Sequence, residues 1–146
     1  MNRLELEKII PSSKQTRLLY KHLKSRTYNI SNKKTPSFND HKIFVDNNPY
    51  RVWFLIKKNS MDFGNVYISY DNSIGLNCFE SSTAEDIKLI LNLIYTNIKP
   101  LKAKSSIRSE DYFINIATSN KTFQRKLKSI GYYEFQKSFK IKDLKS

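Results

Sequence analysis

The sequence predicts a domain of the α/β or α+β class with a mixed sheet. Residues 50–57, 63–70 and 74–79 are three runs rich in aromatic and β-branched side chains, and the short polar turns between them predict an antiparallel meander. A long amphipathic helix follows. Residues 112–118 then alternate as a strand, and a helix with one further strand completes the chain. A strand–helix–strand order implies parallel neighbours, so the sheet should be mixed.

Two helices are predicted before the meander. Leucines recur at helical spacing in residues 16–24, whereas residues 27–37 combine Asn, Ser, Lys, Thr and Pro and are typical of a loop. A short helix should begin at residues 37–40. It should end before Pro49, because the residue before a proline is disfavoured in the α region.

The strongest helical pattern follows the meander. Ser82 precedes Glu85 by the spacing of a capping box, in which each side chain satisfies the backbone N–H of the other residue. Pro100 should end this helix. Its core-facing stripe is Ile87, Ile90, Leu91, Ile94 and Ile98. We expect the stripe to pack on the sheet, against Trp53 or Leu55, Ile68 and Ile116.

The C-terminal part should form one more helix and one more strand. Residues 120–130 are amphipathic and basic, and Gly131 can adopt the left-handed conformation that ends a helix. Aromatic side chains then alternate at Tyr133, Phe135 and Phe139, which predicts a strand over residues 132–141.

Composition limits the class of protein. The 146 residues fit a single domain spanning 1–146. Cys78 is the one cysteine, which excludes disulfide scaffolds and multi-cysteine zinc sites, and the two histidines lack the spacing of a metal pair. No apolar run approaches the roughly 18 residues of a membrane span, and residues 1–7 do not resemble a signal peptide. We therefore expect a cytoplasmic protein without a metal.

The formal charge of +13 suggests polyanionic partners. Most of the 26 basic residues are lysines, which act as point charges, whereas base-specific readers favour arginine. The charges are also scattered along the chain rather than gathered in one basic arm. A Lys-rich surface that binds nucleic acid and an ordinary solvated surface are both compatible with this pattern.

Local patterns over about residues 16–141 resemble the acyl-CoA N-acyltransferase superfamily known as GNAT. Residues 38–45 and 50–56 resemble the second helix and following strand of its amino-sugar and ribosomal-protein-type members, and residues 63–68 (FGNVYI) resemble its G-x-v-x-l strand. Asn120 and Gly131 stand at the separation of the family's Asn and Gly-Phe.

The resemblance implies a GNAT-like fold, a cofactor and a substrate class. The strands at 74–79 and 112–118 should run parallel and splay apart, leaving a cleft for acetyl-CoA or another acyl-CoA. The acceptor would be a primary amine of an amino sugar, a small molecule or a protein. Tyr50, Arg51 and Tyr67 are candidates for its pocket, although strand aromatics are usually core residues. The cofactor-binding residues would be Cys78, Phe79, Ser81, Ser82, Thr83 and Asn120.

One departure from the family concerns the phosphate loop. The family's Arg/Gln-x-x-Gly-x-Gly/Ala segment corresponds here to residues 79–86, which contain neither glycine nor a basic residue. Glu80, Glu85 and Asp86 add negative charge where a pyrophosphate would bind. This pattern predicts weak acetyl-CoA binding, with a dissociation constant above roughly 100 µM.

A second departure concerns the catalytic acid. Leu127 occupies the position where many members carry the tyrosine that protonates the departing thiolate. Tyr132 or Tyr133 is the candidate substitute, and solvent is the alternative proton donor. Glu80 is the candidate general base, with a solvated loop acid as its other interpretation.

These departures leave two hypotheses. The first is an acyl-CoA-dependent N-acyltransferase or a degenerate relative of one. The second is a non-catalytic module of the same fold that binds nucleic acid, a nucleotide or a protein partner, because a fold does not determine a function.

Overall fold

The computed structural model describes residues 3–26 and 34–144, and the loop predicted for 27–37 falls largely outside them. Helices cover both faces of a five-stranded sheet. The elements, in chain order, are β1 (Leu4–Lys8), α1 (Ser13–Ser25), α2 (Phe38–Asn47), β2 (Val52–Lys58), β3 (Met61–Ile68), β4 (Ser73–Cys78), α3 (Ala84–Asn97), β5 (Phe113–Ile114) and α4 (Lys121–Ile130).

The sheet is mixed, as predicted. Its strands lie in the order β1-β2-β3-β4-β5, and all neighbours are antiparallel except β4 and β5. Ser73 lies opposite Phe113 and Ile74 opposite Ile114 in the parallel pair. The predicted antiparallel meander and the short parallel pair are therefore confirmed, but β5 is shorter than the predicted strand over residues 112–118.

The first strand, β1, was not predicted. It pairs antiparallel with β2, from Leu4 opposite Lys58 to Lys8 opposite Phe54. Leu4 and Leu6 alternate with charged residues, and both pack at the margin of the core. Five residues with two leucines give too weak a period-2 signal to identify a strand from the sequence. The segment is a strand because its backbone forms hydrogen bonds with the edge of β2.

The two faces of the sheet carry separate cores. On one face, the α3 stripe packs with Ile56, Val66 and Ile68, and its members within the helix are buried as predicted. Ile98, the C-cap residue, is only half-buried. The expectation that Trp53 or Leu55 joins this stripe is wrong, since both pack on the other face with Leu19 of α1 and Val45 of α2. Ile116 is only half-buried, because β5 ends before it.

Helix α3 begins one residue later than predicted. Thr83, not Ser82, is the N-cap: its hydroxyl accepts the Asp86 N–H at 3.1 Å, and the Asp86 carboxylate accepts the Thr83 N–H at 3.0 Å. Ser82 instead belongs to a tight turn, in which its N–H donates to the Phe79 carbonyl at 2.9 Å. The capping box is therefore real, but Asp86 fills the place predicted for Glu85.

The predicted strand over residues 132–141 is wrong. Helix α4 ends as expected at Gly131, whose φ is 113°, but the following chain is irregular. Tyr133 and Phe139 are 83% and 81% exposed. The alternating aromatic residues give this segment one apolar face, but a strand also needs a neighbouring strand for its backbone hydrogen bonds. In the described part of the chain, no strand borders this segment.

Candidate active site

A cleft opens where the two parallel strands separate. Beyond Ile74 and Ile114, β4 and β5 no longer pair, and a cleft of about 620 Å³ lies between them. Its walls are the rest of β4, residues 114–117, the start of α4 and the C-terminal turn of α1. Helices α1 and α4 lie on opposite faces of the sheet, so the cleft is lined by residues from both faces.

Asn72 ties the closed end of this cleft together. Its buried amide donates to the carbonyls of Leu101 and Ser109, at 2.9 and 2.8 Å, and accepts the Leu101 N–H at 2.8 Å. Its own carbonyl accepts the Phe113 N–H at 3.3 Å. One side chain therefore holds the long connection that places β5 beside β4. The sequence pattern had indicated only a turn here.

The inner edge of β4 presents backbone donors to the cleft. Phe79 and Ser73 direct their backbone groups toward β3, since the Phe79 N–H donates to Phe63 and the Ser73 carbonyl accepts from Ser69. Backbone groups alternate sides along a strand, so Leu76 and Cys78 direct their N–H groups toward the cleft. A carbonyl oxygen bound between the strands would meet these donors.

Tyr67 lies against the strand because residue 75 is glycine. A Cβ atom at Gly75 would fall 2.0 Å from the Tyr67 ring. On its other side, Tyr67 stacks with Tyr50, with ring centroids 3.8 Å apart and planes inclined by 9°. Burial, followed by the neighbouring Tyr67 hydroxyl, raises the pKa of Tyr50. Tyr67 thus lines the cleft, and Tyr50 supports it from behind.

The N-terminus of α3, where a phosphate would be expected, holds a carboxylate of the protein itself. Asp86 is 1% exposed, and one of its oxygens lies 3.0 Å from Lys58 Nζ. Burial alone would raise the pKa of Asp86, but hydrogen bonds from Thr83 and Lys58 outweigh it and lower that pKa. This carboxylate accepts the N–H of the N-cap Thr83, one of the backbone donors at this helix end that a bound anion would use.

Lys126 braces the turn between β4 and α3. Its ammonium group, carried by α4, donates to the carbonyl oxygens of Glu80, at 3.1 Å, and Ser82. Beneath the turn, Cys78 Sγ lies 3.3 Å from Ser82 Oγ, and burial raises the pKa of the Cys78 thiol. Both interactions hold the turn in one conformation, and the raised pKa disfavours Cys78 as a nucleophile.

A buried polar network around His22 borders the cleft. No residue near His22 in the sequence indicates its partners in this network. His22 Nε2 lies 2.8 Å from both carboxylate oxygens of Asp62, and its Nδ1 lies 3.0 Å from the Asn65 amide nitrogen. Trp53 Nε1, which can only donate, forms a hydrogen bond to the Asn65 side-chain oxygen at 3.2 Å. This bond fixes the orientation of the Asn65 amide. The Asn65 NH₂ then points toward His22 Nδ1, and the Nε2–H of His22 points toward the Asp62 carboxylate.

The candidates predicted from the sequence divide into two groups. Five of them line the cleft: Tyr67, Cys78, Phe79, Glu80 and Asn120. Asn120 also caps α4 by accepting the Phe123 N–H at 3.2 Å. Ser82 is buried in the turn, Thr83 caps α3, and Ser81 is exposed beside them.

The other candidates lie away from the cleft walls. Arg51 does not line the cleft and donates to the Lys99 carbonyl at 2.9 Å, just after the end of α3. Tyr132 and Tyr133 follow the C-terminus of α4 and are 44% and 83% exposed. Leu127, in the place of the family's tyrosine, packs against the α3 core.

Within the described ranges 3–26 and 34–144, no group of three or more acidic, His or Cys side chains is arranged to hold a metal ion. Among those same residues, no helix is long and apolar enough to cross a membrane.

Comparison of sequences identifies no relative: no protein-family model matches the chain, and no curated protein matches it. Comparison of folds finds similar solved structures. A domain from Methanocaldococcus jannaschii superposes with a TM-score of 0.64 at 13% identity, covering 94% of this chain and 93% of that one.

Two solved N-acetyltransferases are also similar in fold. Campylobacter jejuni PseH, solved with acetyl coenzyme A, has a TM-score of 0.57 at 12% identity, with 93% and 92% of the two chains covered. Spermidine N-acetyltransferase from Vibrio cholerae has a TM-score of 0.56 at 14% identity, with 91% and 81% covered. These likenesses extend over most of both chains and show that this chain has the GNAT fold.

Proposed function

We propose that this protein transfers an acyl group of acetyl size from acyl-CoA to a primary amine. The observation that carries the proposal is the cleft between β4 and β5, which residues from both faces of the sheet line and toward which the N–H groups of Leu76 and Cys78 point. A thioester carbonyl that lies between the strands is polarised by those donors. The amine approaches the thioester from the face of the sheet opposite to the acyl-CoA.

The reaction needs one proton acceptor and one proton donor. The neutral amine attacks the thioester carbon, and the C–N bond forms as the C–S bond breaks. Glu80 lines the cleft and accepts the amine proton, directly or through water. Neither Tyr132 nor Tyr133 lines the cleft, so we assign protonation of the CoA thiolate to solvent. A thiol-release assay tests this scheme: Glu80→Gln should lower kcat without weakening acetyl-CoA binding.

Acetyl-CoA binding should be weak, with a dissociation constant above roughly 100 µM by calorimetry, because Glu80, Glu85 and Asp86 place negative charge beside the helix N-terminus at which a pyrophosphate would bind. Replacing Asp86 would also break the cap and the Lys58 pair, so the exposed Glu85 is the better site to change. Glu85→Lys should tighten binding by about three- to tenfold. Glu110→Lys, with the same charge change at an exposed position outside the cleft walls, is the control. Micromolar binding by the unmodified protein would contradict the charge argument.

The same acidic N-terminus of α3 favours a second candidate, a non-catalytic module that binds nucleic acid. Three cations, Lys121, Arg125 and Lys128, are exposed on α4, which contains no acidic residue. Replacing all three by Gln should weaken binding to a single-stranded oligonucleotide at low salt by about tenfold or more and reduce its salt dependence. The matched control replaces three dispersed exposed lysines: Lys14, Lys88 and Lys102. Equal losses in both variants would mean that the charge is diffuse and would remove this candidate.

A further inference from the structure

Two cations that line the cleft form no ion pair with a carboxylate of the described residues. Lys21 and Arg26 line it from the C-terminal end of α1. Among the residues that the structure describes, neither forms an ion pair, and Arg26 Nε is buried without a hydrogen-bond partner. By contrast, Lys42, Lys57 and Lys58 each lie within 4.0 Å of a carboxylate oxygen.

Neighbouring groups do not supply the missing negative charge. Asp62 does not line the cleft, and both of its oxygens lie 2.8 Å from His22 Nε2, from which they accept a hydrogen bond. Glu80 is the one acidic residue among those lining the cleft, and it is exposed beyond the end of β4. A buried guanidinium N–H without an acceptor is costly, and an ionised oxygen is the partner that satisfies it best.

We propose that the acceptor amine carries an anionic group, a carboxylate or a phosphate, which Lys21 and Arg26 bind. This proposal rests on the proposed acyl transfer and specifies its substrate class. Arg26 offers a planar fork that matches two oxygens of either anion, and Lys21 adds a second positive charge at the rim. Both cations lie at the C-terminal end of α1, Lys21 within the helix and Arg26 as its C-cap, so the anion anchors the substrate at the α1 face of the sheet.

Small amines of similar length test the proposal. Binding of 2-aminoethyl phosphate, β-alanine, ethanolamine and ethylenediamine is measured by calorimetry, and their acetylation by thiol release. We expect at least one of the two anionic amines to bind about tenfold or more tightly than ethanolamine, and ethylenediamine to bind worst. The first two probes distinguish phosphate from carboxylate.

Variants on α1 assign the site. Arg26→Gln and Lys21→Gln should each lower affinity for the preferred anionic amine by about tenfold, with acetyl-CoA affinity unchanged. Arg26→Lys should recover part of the loss. Arg17→Gln, on an exposed position of the same helix, is the control and should have no effect. Circular dichroism verifies that each variant is folded.

Three outcomes would overturn the proposal: no preference for anionic amines, a preference that survives both substitutions, or a parallel loss of acetyl-CoA binding. The last outcome would assign the two cations to the cofactor instead. If the anionic amines bind through Arg26 and no acyl transfer occurs with any acyl-CoA, the anion site stands and the proposed reaction fails, so the two failures are distinguishable.

Discussion

Lys58→Met should lower the free energy of unfolding by about 2–4 kcal/mol, because it leaves the Asp86 carboxylate buried without its cation. Asp86 is 1% exposed, whereas the Lys58 side chain is 24% exposed, so the loss should be somewhat below that of a fully enclosed pair. Urea denaturation provides the measurement. The double variant Lys58→Met, Asp86→Asn should recover most of the loss, since no buried charge remains. A single variant as stable as the parent protein would mean that water solvates Asp86 without Lys58.

The same carboxylate should make stability depend on pH. The pKa of Asp86 is lower in the folded protein than in the unfolded chain, where it is about 3.9. Its contribution is therefore fully present above the unfolded pKa and is lost as pH falls through the folded pKa. Asp86→Asn should remove this part of the acid-side decline. A decline of unchanged size in that variant would assign the effect to other carboxylates.

Ile90→Ala should destabilise the protein by roughly 2–5 kcal/mol, the usual range for removing a fully buried isoleucine side chain. Ile90 is 0% exposed and lies in the core between α3 and the sheet. Ile43→Ala is the matched control, because Ile43 is 58% exposed on α2 and its loss should cost below about 0.5 kcal/mol. Equal effects of the two substitutions would contradict the assignment of the α3 stripe to the core.

The cleft could be predicted from the sequence only in outline. The order of the elements and the family resemblance led to a parallel pair that separates, and several candidates, such as Cys78, Glu80 and Asn120, do line the resulting cleft. The contributions of α1 could not be predicted. Lys21, His22 and Arg26 meet β4 only because the first helix packs across the sheet, far from β4 in the chain.

The His22 network shows the same limit. Asp62 and Asn65 lie about forty residues from His22 in the chain, and no local pattern joins them. A buried histidine needs partners for both ring nitrogens, which its sequence position alone does not reveal. The one feature of the sequence that indicated such a network was a histidine in the last turn of an amphipathic helix.

The sequence by itself determined the features that depend on neighbours within a few residues: helix stripes, the stop at Gly131, the turns and the alternating strands of the meander. These signals are local because helical hydrogen bonds and caps join residues three or four positions apart. The tertiary structure decided whether a β segment found a partner. Residues 4–8 did, on the free edge of β2, despite a weak pattern, whereas residues 132–141 did not, despite a stronger one. A strand is stabilised by hydrogen bonds to the backbone of another part of the chain. Its own residues can favour the extended conformation, but they do not determine whether a partner strand lies beside it.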